Sequence, residues 1–77
     1  MITLKRGKNG NYLLMDGDKQ VGEAWKIKGK LGFGVRLYGF YWKNNEPCTR
    51  GGLGATRIPR LKDAVPLTES VLMQREQ

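Results

Sequence analysis

Through the first half of the chain, apolar residues come in short runs separated by glycine, with no helical spacing. Runs of β-branched, aromatic and aliphatic residues bounded in this way read as strands joined by hairpins. The pattern predicts strands near Ile2–Arg6, Tyr12–Met15, Gln20–Lys28 and Phe33–Tyr41, with loops at Gly7–Asn11, Asp16–Lys19 and Gly29–Leu31. Asn9-Gly10 and Asp16-Gly17 suit tight turns, because these residues accept the positive φ angles that such turns need.

Because side chains alternate along a strand, the runs also predict faces. Val21, Trp25, Ile27 and Leu31 fall on odd positions, in phase with Phe33, Val35 and Leu37, provided the loop Gly29–Leu31 has three residues. That register places Trp25 and Phe33 in the core and gathers Lys26, Lys28, Arg36 and Tyr38 on the opposite face. A two-residue turn at Gly17-Asp18 opposes Leu14 to Val21, and the loop before it opposes Leu4 to Leu14. Leu13 and Met15 are left outside.

Residues 43–56 are turn-rich and without period, and read as a flexible glycine-rich loop. Beyond it, Leu61, Ala64, Val65, Leu67, Val71 and Leu72 recur at helical spacing. Pro66 divides this stretch into a turn near Arg60–Val65 and a helix near Thr68–Gln74, with Thr68 at its start. The expected fold class is α+β: an antiparallel sheet of three to four strands packed against a short C-terminal helix. One domain is expected, with its sheet over 2–42, the loop over 43–56 and a helical segment over 60–74. Open edges at Ile2–Arg6 or Phe33–Trp42 leave room for a dimer.

Composition narrows the function. At 77 residues with 39% hydrophobic content, the chain buries one modest core. No run approaches the ~18 apolar residues of a membrane span, and the N-terminal residues lack a secretory apolar stretch. The expectation is a soluble cytoplasmic protein with no membrane partner. Fourteen Lys and Arg against seven Asp and Glu give a net charge of +7, which favours polyanions. Residues 1–43 hold nine basic and three acidic side chains, whereas 44–77 hold five and four.

Catalytic chemistry is not encoded in any familiar form. The chain has no histidine and one cysteine, Cys48, so neither a Ser-His or Cys-His pair nor a zinc site is available. Asp16 and Asp18 read as turn formers. Gly32-Phe33-Gly34 and Gly51-Gly52-Leu53-Gly54 lack the Gly-Lys-Ser/Thr ending of a phosphate loop. The expectation is a non-enzyme with no cofactor and no metal.

Basic and aromatic residues interleave from Trp25 to Trp42, and cations neutralise phosphates while aromatic faces stack on bases. Lys26, Lys28, Lys30 and Arg36 are the candidate phosphate contacts. Tyr38 is the first candidate for stacking, followed by Phe40 and Trp42. Arg50, Arg57, Arg60 and Lys62 form a second basic group around and after the loop. The element order across Tyr12–Leu72, with Arg57–Val65 leading into the helix, resembles the small DNA-binding domains of mobile-element integrases and the plant AP2-type domains. That resemblance implies a sheet laid in the major groove.

The sequence thus points to a nucleic-acid-binding accessory protein of phage or mobile-element type, with DNA ahead of RNA as partner. The alternative is a phage inhibitor or adaptor that blocks a host nucleic-acid-handling or defence complex. Leu13, Met15, Tyr38 and Trp42 would anchor that protein interface.

Overall fold

The glycine-bounded runs do fold into strands, and each apolar stripe finds a place in one sheet backed by one helix. The computed structural model describes residues 1–44 and 46–76. In chain order the strands are β1 (Ile2–Arg6), β2 (Tyr12–Asp16), β3 (Lys19–Lys26), β4 (Phe33–Leu37), β5 (Tyr41–Lys43), β6 (Glu46–Cys48) and β7 (Thr56–Ile58). A 3-10 turn at Leu61–Asp63 leads into α1 (Ala64–Glu76). The main sheet is antiparallel with strand order β1-β2-β3-β4-β7, and β5 and β6 form a separate two-stranded ribbon. The fold class is therefore α+β, an antiparallel sheet packed against a short C-terminal helix. Among the described residues no helix is long and apolar enough to cross a membrane.

The expected register holds on one side of the sheet and fails on the other, and a single residue is responsible. Leu4 opposes Leu14 as predicted. The turn at Gly17-Asp18 pairs Asp16 with Lys19 and Met15 with Gln20, but Leu14 then pairs with Gly22, so Val21 is an extra residue in β3. A β-bulge of this kind reverses which side chains face inward beyond it. Gly22 and Ala24 consequently face the core, opposite Leu37 and Val35. Trp25 does not.

The bulge resolves a conflict in the sequence. Glu23 has the same parity as Trp25, so burying the indole in β3 would also bury a carboxylate without a partner, which is costly. Shifting the phase puts Glu23 outside, directly opposite Arg36. It also requires glycine at 22, where a Cβ would collide with the Arg36 carbonyl oxygen.

Two further expectations change. The β3–β4 connection runs over residues 27–32, since Lys26 pairs with Phe33, so it is six residues long and not three. Phe33–Tyr41 is not one strand: Gly39 turns at φ 86°, and Tyr41–Lys43 leaves the sheet. Nor is Phe33–Leu37 an open edge, because β7 pairs along it.

Residues 43–56 are not simply a loop. Glu46–Cys48 pairs with Tyr41–Lys43, and the Trp42 backbone bonds to Leu53 on its other side, N to O at 2.8 Å and O to N at 2.7 Å. Pro47 stands opposite Trp42. Since Trp42 directs its own amide to Leu53, the missing proline N–H costs the ribbon nothing there. Trp42 is thereby folded into the core, 2% exposed, and is not available for stacking.

Pro66 does not divide the helix. It lies in the first turn of α1, where a backbone N–H has no intrahelical acceptor and the fixed φ is already helical. Thr68 accordingly sits inside the helix and does not cap it; its buried hydroxyl donates to the Ala64 carbonyl oxygen at 2.7 Å. Ala64, Thr68 and Val71, one face of the helix, close the core against Ile2, Leu14, Ala24, Val35, Leu37 and Ile58.

Candidate functional site

The helix packs against one face of the sheet, and the second face carries none of the buried core residues. By register, the positions on this outer face are Thr3 and Lys5 of β1, Leu13 and Met15 of β2, Gln20, Glu23 and Trp25 of β3, Gly34 and Arg36 of β4, and Arg57 of β7. Leu13 and Met15 lie outside as expected, half-buried and apart from the core cluster.

Trp25 is the central feature of this face. Its partner in the ladder is Gly34. From the point a Gly34 Cβ would occupy, the indole atoms Cε2, Cζ2 and Nε1 lie at 2.5, 2.6 and 2.7 Å. Three bonded ring atoms at nearly equal distance describe a ring laid over the glycine by its face. One indole surface therefore rests on the sheet and the other points away from it, the side chain as a whole being half-buried.

Alternation along β4 then sets out a row. Gly34 under its indole, Arg36 and Tyr38 succeed one another on the outer side, spaced by two residues or about 7 Å. Arg36 is exposed. Tyr38 is 45% exposed, and it is fixed at both ends: its amide donates to the Val21 carbonyl at 3.0 Å, and its hydroxyl accepts from Gln20 Nε2 at 2.9 Å. The arrangement is aromatic, cation, aromatic.

The two ends of β3 differ in charge. Asp16 and Asp18 lie at the β2–β3 turn, where Asp16 also meets the N-terminal amine at 3.4 Å. At the other end of β3 stand Lys26, Lys28 and Lys30, all exposed. Arg57, opposite Gly34, runs its side chain along Gly32 at this same end, with Cγ and Nε 3.5 and 3.6 Å from that glycine's Cβ position. Of the outer-face positions, Lys5, Arg36 and Arg57 are basic and Glu23 is acidic.

At the β3–β4 apex, Leu31 is 91% exposed. Burial of a side chain of this size stabilises a fold by about 1.5–3 kcal/mol, a contribution that this fold forgoes. The loop is shaped by Lys30 N donating to the Ile27 carbonyl at 3.3 Å and by positive φ at Gly29 and Gly32. Leu31 borders two open hollows, one formed with Lys26 to Lys30 and one with Gly32, Arg57, Ile58 and Pro59.

The expected ladder of Lys26, Lys28, Arg36 and Tyr38 is not brought together. Arg36 and Tyr38 share the outer face, whereas Lys26 ends β3 with the opposite parity and Lys28 and Lys30 belong to the apex loop. Arg57, expected in a second basic group just after the loop, stands in β7 opposite Gly34 and so joins the outer face. Arg60 lies at the entry to α1, held to Asp63 through Nε–Oδ2 and Nη2–Oδ1 contacts of 3.3 Å each. Arg50 is exposed in the turn between β6 and Leu53. Sequence reasoning missed Trp25 and Lys5, and the signal for Trp25 was the shared parity of Glu23. Among the described residues no cluster of three or more His, Cys, Asp or Glu is placed to hold a metal ion.

No protein-family model, curated protein or solved structure matches the chain.

Proposed function

We propose that this protein is a non-enzymatic nucleic-acid-binding module whose contact surface is the outer face of the main sheet. The observation that carries the reading is Trp25, laid flat on Gly34 with one face outward and with Arg36 and Arg57 at neighbouring positions. An outward indole offers a base a stacking partner, and the arginines neutralise the adjoining phosphates. Tyr38 extends the surface by one step along β4, and Lys26, Lys28 and Lys30 supply a field that steers a polyanion toward the Trp25 end.

The experiment is a binding titration with DNA and RNA oligonucleotides at about 50 and 200 mM salt, where phosphate-dominated affinities differ strongly. Binding that weakens with salt, and is reduced in Trp25→Ala and in Arg36→Glu/Arg57→Glu, supports the reading. Absence of binding at the lower salt concentration rejects it.

A second reading has its own observation. Leu13 and Met15 leave an apolar pair on the same face, flanked by Lys5 and Glu23 and by Thr3 and Gln20, and such a pair suits an inhibitor or adaptor that anchors on another protein. Capture of one protein partner that survives nuclease treatment, with loss of capture in Leu13→Ser/Met15→Ser, would favour it.

A further inference from the structure

Resting on the nucleic-acid reading, we infer that the preferred ligand is a junction between single strand and duplex, with Leu31 at the end of the base-paired part. Trp25 suits an unpaired base, since its ring lies flat along the sheet and does not protrude as a wedge between stacked pairs. One residue beyond it, β3 ends and the apex loop begins. That loop carries a nearly fully exposed leucine and two exposed lysines, Lys28 and Lys30, just beyond exposed Lys26 at the end of β3.

Apolar side chains inserted at base steps are used by proteins to unstack and bend nucleic acid, and lysines beside them hold the flanking phosphates. The last base pair of a duplex presents a flat apolar surface without insertion cost, and Leu31 is shaped to cover it. Lys28 and Lys30, three and one residues before Leu31, then face the duplex phosphates, while Arg57 lies between the apex and the Trp25 row. A lone leucine is too small an anchor for a lipid bilayer, and no second large apolar residue stands beside it at the apex other than half-buried Ile27.

The test compares a single strand, a blunt duplex and a duplex with a single-stranded tail, of equal nucleotide content, by fluorescence anisotropy with the full chain. The expected result is that the tailed duplex binds about tenfold tighter than either of the others, the size of effect that one stacked group provides. Leu31→Ser, an exposed loop change, abolishes this preference and leaves single-strand affinity within about twofold. Equal affinity for the tailed duplex and the single strand, or an unchanged preference in Leu31→Ser, overturns the junction while leaving the broader reading intact. Binding to phosphatidylserine vesicles that Leu31→Ser removes would assign the apex to a membrane instead. Failure to bind all three nucleic acids rejects both proposals.

Discussion

Trp25 rests face-down on Gly34, and the ring occupies the space a side chain at position 34 would need. A side chain at position 34 would enter the indole ring, since its Cβ would lie 2.5 Å from Cε2. Gly34→Ala should therefore lift the ring off the sheet at a modest cost of about 1 kcal/mol or less, because the half-buried indole can move toward solvent. Chemical denaturation measures the loss, and a shift in tryptophan emission reports the displaced indole, because Trp42 stays buried.

The bulge at Val21 decides which face each β3 side chain occupies. Deleting Val21 leaves Gln20 followed directly by Gly22, so that Leu14 still opposes Gly22 and Glu23 and Trp25 stay on the outer face. The variant is expected to keep a cooperative thermal transition, at a lower temperature because Val21 also packs against the core and its carbonyl accepts from the Tyr38 amide. Loss of that transition, followed by circular dichroism, would show that the ladder depends on the bulge itself.

Gly22→Ala gives a sharper readout of the same feature. Its Cβ would meet the backbone oxygen of Arg36, which cannot rotate away as a side chain can. Destabilisation of about 3 kcal/mol is expected, with an unchanged denaturant slope.

Pro66 should behave as a first-turn residue. Pro66→Ala is expected to lower stability slightly, by about 0.4–1 kcal/mol, because it frees the unfolded chain. Were Pro66 a true interruption of α1, removing it would instead raise stability by about 3 kcal/mol.

The basic residues separate into two groups by position. Arg36→Glu and Arg57→Glu should each weaken nucleic-acid binding and reduce the slope of log affinity against log salt by about one. Arg60→Glu should leave both unchanged, since Arg60 is engaged with Asp63 at the helix entry.

Much of the scaffold was legible in the sequence because it rests on local chemistry. Gly7–Asn11 and Gly17-Asp18 turn where their residues permit, and the pairing of Leu4 with Leu14 follows from those turns. The outer face was misread because alternation propagates an error: one extra residue at Val21 moved Trp25 out of the core and separated Lys26 from Arg36. The strand Glu46–Cys48 was hidden by Pro47, which is tolerated only because Trp42 finds its partner in Leu53, a tertiary arrangement that no local pattern displays. Pro66 misled for a simpler reason. Its effect depends on whether it falls in the first turn or later, and the helix start is set by Ala64 packing into the core.

The central claim is that the outer face binds nucleic acid through Trp25 and its neighbouring arginines. Its most direct test is a titration of a single-stranded oligonucleotide across a salt series with the wild-type chain and Trp25→Ala. The account predicts that Trp25→Ala loses about 1–3 kcal/mol of binding with its salt slope unchanged, because stacking and not phosphate contact is removed. Wild-type affinity that is undetectable at low salt, or equal in Trp25→Ala, would contradict it.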